Sequence, residues 1–385
     1  MKRGLRLCMA AVVLLVAGCQ LFTDGYRKMF GNPAPKPAEL VPIQPKAGLR
    51  VAWQGSVGAA EKDVYFPARS GSVVYAGGAA GGVTGFDMAR GTVTGRIEAG
   101  ERVSGGVGAG AGLLLLGTPK GEVLAFDPTG KSLWKAQLSS AVLSPPAAQD
   151  GIVVARAGDG RVYGLDATTG KQRWVHQRTT PALSVRTHTG VVIERGGVFV
   201  GFPAGRLVAL SLPTGSVAWE AVVALPRGAT ELERVADITS LPLLDGGRVC
   251  AAAYQGRVAC FDAARGTPVW ARDVSSGAGL GVDDRYLYVT DDKNAVLALD
   301  KATGASIWRQ ERLARRNVTG PLAVGRYVVV GDLEGYVHLL SRDDGSFAAR
   351  LATDGSAIMA PPVALDMSTF LVQTRNGGVY AIAIQ

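Results

Sequence analysis

The chain has 385 residues, 47% of them hydrophobic and 52 of them glycine. That is ample apolar material for a continuous core, and the glycine suits many tight turns between half-buried strands rather than a series of amphipathic helices. The formal charge of +9 comes without any run of Lys and Arg interleaved with aromatics, so a nucleic-acid-binding face is not what organises the molecule.

The first residues read apart from the rest. Lys2, Arg3 and Arg6 form a positive start, and Cys8 to Val16 an apolar run too short to span a bilayer comfortably. Val16-Ala17-Gly18-Cys19 follows and resembles a bacterial lipobox. Such a signal is cut before the cysteine, so residues 1–18 are expected to be removed and Cys19 to be lipidated. Cleavage takes three positive charges with it and leaves a balance of +6. Gln20 rather than Asp follows the cysteine, and by resemblance to enterobacterial sorting rules this favours transfer to the outer membrane. Three acyl chains exceed the two signals that stable anchoring needs. Residues 19–48 then read as a tether, because Pro33, Pro35, Pro37, Pro42 and Pro45 preclude helix and central strand.

From Leu49 onward the chain is repetitive. Residues 160–174 (Gly-Arg-Val-Tyr-Gly-Leu-Asp-Ala-Thr-Thr-Gly-Lys-Gln-Arg-Trp) predict a strand ending at Asp166, an Asp-to-Gly170 turn, and a second strand carrying Trp174. The phrase recurs from Gly121 to Trp134, Gly205 to Trp219, Gly256 to Trp270 and Asn294 to Trp308. Degraded copies start at Gly82 and Gly335, and a half-copy at Gly378 runs out at the C-terminus. The starts lie 38 to 51 residues apart, the period of a β-propeller with four short strands per blade. Leu49-Arg-Val-Ala-Trp53 is a Trp-bearing strand without the rest of its unit. The expectation is therefore an all-β, eight-bladed β-propeller over 49–385, its blades four-stranded and antiparallel. The N-terminal strand would complete the eighth blade, since an open ring leaves an unpaired edge.

Function in such a scaffold sits where the repeat is broken. Successive tryptophans at 134, 174, 219 and 270 are 40, 45 and 51 residues apart, so two neighbouring blades carry extra residues after the Trp strand. Connections of this kind all leave by one rim and would form one raised surface. The first holds Leu183, Val185 and Arg186; the second holds Glu231, Glu233, Arg234 and Asp237. Apolar anchors beside arginine suit a protein-binding hot spot. Alternatively, Leu183 and Val185 begin the next inner strand and pack inward. Cys250 and Cys260 lie on the two strands of one hairpin. They read either as a disulfide, permitted outside the cytosol, or as two small buried apolar residues.

No catalytic or metal-ligating set stands out. His176, His188 and His338 lack ligand spacing, and the repeated Asp residues (87, 127, 166, 262, 300) occupy one turn position each. The Gly-rich stretches 77–82 and 105–108 lack the Lys and following helix of a phosphate loop.

The lipobox run Cys19-Gln-Leu-Phe22, the closing strand Ala52-Trp-Gln-Gly-Ser-Val-Gly58 and above all Pro226-Arg-Gly-Ala-Thr-Glu-Leu-Glu-Arg-Val-Ala-Asp237 give the chain a specific likeness. It resembles the BamB family, eight-bladed lipoproteins with repeats of the pyrroloquinoline-quinone type, found in the outer-membrane β-barrel assembly machinery. The resemblance implies a non-catalytic scaffold, without cofactor or metal, that docks on the barrel subunit BamA and assists folding and insertion of barrel proteins. The implied partners are BamA and its complex, and unfolded outer-membrane proteins. The implied location is the outer membrane, lipid-anchored and facing the periplasm. The family's docking segments, Leu-Ser-Leu-Arg and Asp-Val-Asp, map onto Leu183-Ser-Val-Arg186 and Asp237-Ile-Thr239, so Thr239 replaces the second acidic residue. Two other readings compete. A quinone- and calcium-binding quinoprotein shares the repeat, but its enzymes resemble one another in carrying vicinal cysteines, absent here. The other is a periplasmic propeller that binds cell-wall glycan.

Overall fold

The computed structural model of the protein describes residues 36–179, 181, 183–185 and 188–385. Cys19 and Arg186 lie outside the described residues. Within the compact unit Glu39–Gln385, the strands form eight four-stranded antiparallel sheets. Seven are continuous in sequence: blades 1 to 7 span 68–98, 104–137, 147–176, 192–222, 243–272, 280–310 and 322–352. Blade 8 takes three strands from 363–384, and its fourth is Leu49–Ser56. That strand pairs with Gly378–Ile384 along its length, from Ser56 opposite Gly378 to Leu49 opposite Ile384. Both the eight-bladed fold and its closure by the N-terminal strand are as the repeat pattern predicts.

The repeated phrase is a device for joining blades. In blade 3 the strand Val162–Asp166 ends because Asp166 Oδ1 accepts the amides of Thr168 (3.1 Å) and Thr169 (2.9 Å), turning the chain. Gly170 closes that turn with φ of 70°, and a Cβ there would meet the Trp134 ring at 2.5 Å. Trp134 belongs to blade 2. It covers the turn of the next blade and donates its indole N–H to Ala167 O at 2.8 Å. Trp53, Trp174, Trp219, Trp270 and Trp308 repeat this, donating to Met88 O, Leu212 O, Ala263 O, Lys301 O and Arg342 O. The two blades without a tryptophan fit the same logic. Blade 1 precedes the shorter turn 127–130, whose glycine sits under the Arg96 carbonyl instead. Blade 7 precedes blade 8, where the chain ends replace the turn altogether.

Eight apolar clusters, one between each pair of neighbouring blades, make up the core. Phe199, Leu207, Val249 and Phe261 join blades 4 and 5, for example, and Trp53, Val74, Phe86 and Val379 join blades 8 and 1. No single blade buries its own faces, so the ring stands or falls as a whole. Residues 39–48 also belong to this unit. Val41 and Ile43 pack on the cluster between blades 6 and 7, and Val41 O accepts from Arg350 Nη1 at 3.1 Å. Lys46 N then donates to Ala348 O, and Gly48 and Gln385 exchange backbone bonds. Cys250 and Cys260 face each other in blade 5 and form a disulfide, which resolves the sequence alternatives.

Candidate functional site

Connections from a blade's fourth strand to the next blade's first share one end of the ring with the turns between second and third strands. Two of them are long: 177–191, between blades 3 and 4, and 223–242, between blades 4 and 5. Leu183 and Val185 stand on the first and are 42% and 38% exposed. The inner strand of blade 4 starts only at Val192, so neither residue begins it, and the inward-packing alternative does not hold.

Asp237, expected to present its carboxylate to a partner, is instead 3% exposed. Its Oδ2 accepts the Val185 amide at 2.7 Å and its Oδ1 the Ala204 amide at 3.0 Å. One buried carboxylate thus ties together both long connections and the upper turn of blade 4. The backbone around it is fixed as well: Tyr254 N donates to Asp237 O, and Ile238 bridges to Ala253. The role this geometry gives Asp237 is to set the position of Val185, with no carboxylate offered to the outside. Thr239, where the family pattern has a second acid, lines the central funnel of the ring.

The insertion before Asp237 is folded on itself. Thr230 and Glu233 form a reciprocal cap: Glu233 Oε2 accepts the amides of Ala229 (2.7 Å) and Thr230 (3.2 Å), while Thr230 Oγ1 accepts that of Glu233. These bonds, to Thr230 first, hold the Glu233 carboxyl below its ordinary range. Arg234 donates to Gly228 O and pairs with Glu231. The turn presents Leu232 at 70% exposure. Among the described residues thirteen large hydrophobic side chains are exposed. Seven are scattered over the outer strands, and five (Leu183, Val185, Leu225, Leu232, Leu241) stand on these two connections. These five make the two connections the place where exposed apolar side chains concentrate outside the outer strands.

Comparison with known proteins shows the family. A family model described as outer membrane protein assembly factor BamB matches residues 79–310. The chain belongs to the BamB family. A BamB of Nitrosomonas eutropha is 42% identical over 393 residues, covering 100% of this chain and 96% of the relative. The crystal structure of BamB from Moraxella catarrhalis superposes with a TM-score of 0.80 at 26% identity, over 87% of this chain and 100% of that one. A europium-containing methanol dehydrogenase gives 0.69 at 13% identity, over 87% of this chain and 93% of that one; this likeness is one of fold.

The quinoprotein likeness directs attention to the central funnel, about 630 Å³, on the same end of the ring as the BamB-type rim. Val64, Phe66, Val185, Leu241, Leu280 and Met359 make much of its wall. A calcium–quinone pair needs free carboxylate and amide oxygens. The funnel's buried acid, Asp291, is already committed: Oδ2 to Arg309 Nη2 at 2.6 Å, Oδ1 to the amides of Lys293 and Ala295. Asn294 Oδ1 accepts the Asn317 amide. Asp291 and Asn294 are thus engaged within the protein, and Asp292 and Asn317 are the other Asp and Asn side chains on the wall.

Proposed function

We propose that the protein is a non-catalytic scaffold of the outer-membrane β-barrel assembly complex. It docks its raised rim on the periplasmic domains of BamA and so assists folding and insertion of barrel proteins. The observation that carries this is the cluster of exposed apolar side chains on two adjacent connections whose backbone a buried carboxylate holds in place. Preorganised loops lose little entropy on binding, so Leu183 and Val185 act as anchors at low cost. Arg186, next in sequence, supplies the charged contact, and Asp237 acts from beneath.

The lipidated Cys19 is proposed to hold the propeller at the outer membrane on its periplasmic side. Binding of unfolded barrel substrates would follow from this placement. Reversal of charge in Arg186→Glu is expected to abolish capture of BamA from cells while leaving the thermal unfolding midpoint nearly unchanged. Retained capture would remove residue 186 from the interface. Cys19→Ala should move the protein from the membrane fraction to the soluble periplasm; persistence in membranes would refute the anchor.

A further inference from the structure

Beneath the rim, between blades 3 and 4 and the connections that flank them, lies a cavity of about 220 Å³. Arg156, Ser144, Ser184, Val185, Thr189 and Asp237 are among its walls. Arg156 is the last residue of the blade 3 strand Ile152–Arg156 and is 7% exposed. Its Nη1 donates to Thr189 O at 3.3 Å, and its guanidinium carbon lies 5.4 Å from the centre of the Phe202 ring. Among the described residues no carboxylate comes within 4.0 Å of it. Asp237 acts on it through space, and its two oxygens accept the Val185 and Ala204 amides.

A guanidinium has five N–H donors and keeps its charge at neutral pH. Burial lowers Arg156 to about 10, opposed by Asp237, which still leaves it cationic. A buried cation with one carbonyl bond and no contact anion is an unfinished ion pair, and the cavity beside it is where an anion would complete it. We propose that this cavity is a carboxylate pocket, filled by an acidic side chain of the docking partner when the rim is engaged. This rests on the docking reading above and adds to it the group that the partner supplies.

Three features select that ligand. The planar fork of Arg156 matches the two oxygens of a carboxylate. The volume suits an Asp or Glu side chain, being several times the ~30 Å³ that one water occupies in the liquid. Asp237 and Asp159 also line the cavity, Asp159 paired with Arg161, so a phosphate dianion is disfavoured relative to a monoanion. Val185 belongs to both the cavity wall and the exposed apolar anchors. The buried ion pair would therefore form inside the ring of apolar contacts that shields it from water.

The full chain, its Arg156→Gln and its Arg156→Lys variants test this, each first shown to unfold at a comparable temperature. Saturation-transfer NMR with acetate as probe should give a signal for the unmodified protein, lose it in Arg156→Gln and keep part of it in Arg156→Lys. Inorganic phosphate, added as a competitor, should leave the acetate signal unchanged. Equal acetate signals in all three proteins would overturn the pocket, whatever happens to docking. In the second arm, affinity for the purified periplasmic region of the partner should fall about tenfold or more in Arg156→Gln, and acetate should weaken binding of the unmodified protein only. Acetate binding with unchanged partner affinity would overturn the partner's acid as occupant while docking stands. Failure of the unmodified protein to bind the partner would overturn the docking reading and this occupant with it, and the acetate arm would still judge the pocket.

Discussion

Trp174 shows how much one residue of the repeat carries. Its ring lies over Gly215 of blade 4, where a Cβ would meet it at 2.4 Å, and its N–H is used by Leu212 O. Replacement by alanine removes the packing and strands a turn carbonyl, so Trp174→Ala should cost about 3–5 kcal/mol in a denaturant titration. A cost under about 1 kcal/mol would refute the blade-joining role. The turn aspartates give a second prediction. Asp166 is drawn down to about 2, by Arg173 first and then Thr169, and Asp127, Asp262 and Asp300 are lowered by Thr129, Arg265 and Thr303. A carboxyl whose folded pKa lies below its unfolded value of about 4 contributes stability above that pH and loses it on acidification. Thermal midpoints should therefore fall as pH drops from about 4 towards 2, less steeply in Asp166→Asn. An unchanged slope in that variant would contradict the assignment.

At the scale of elements, the Asp-turn-Gly-Trp phrase was legible because each strand-turn-strand unit is written within some fifteen residues. The disulfide was not legible in the same way. Cys250 and Cys260 are ten residues apart, but their alignment depends on the register of blade 5, which the sequence leaves open. A bridge that closes so short a loop contributes about 3 kcal/mol in chain-entropy terms. Asp237 is the clearest gap between reading and structure. Its location beside Val185 was inferred from loop lengths, yet its burial follows from two amides 33 and 52 residues distant. Arg156 gives no signal at all, since an arginine ending a strand is ordinary until the next blade and the long connections enclose it.

For the whole molecule, the decisive feature is that both chain ends meet in blade 8. Removing residues up to Ser56 would delete the outer strand there, the Trp53 cover on blade 1 and the packing of Val41 and Ile43. Such a chain is expected to lose its cooperative unfolding transition and aggregate through the exposed edge of Gly378–Ile384. Truncation only as far as residue 38 should leave the transition intact. A cooperative, monomeric product from the longer deletion would show that the ring does not need its closing strand.

The sequence by itself determined the number of blades, the way the ring closes and the place where the repeat gives way to two long connections. Those properties follow from local turn chemistry and a period counted along the chain. Only the tertiary structure decided that Leu183 and Val185 face outward, that Asp237 works from below, and that Arg156 is buried beside a cavity. Burial and hydrogen bonding at the rim arise where three blades converge, and no local pattern records which distant residues will meet there.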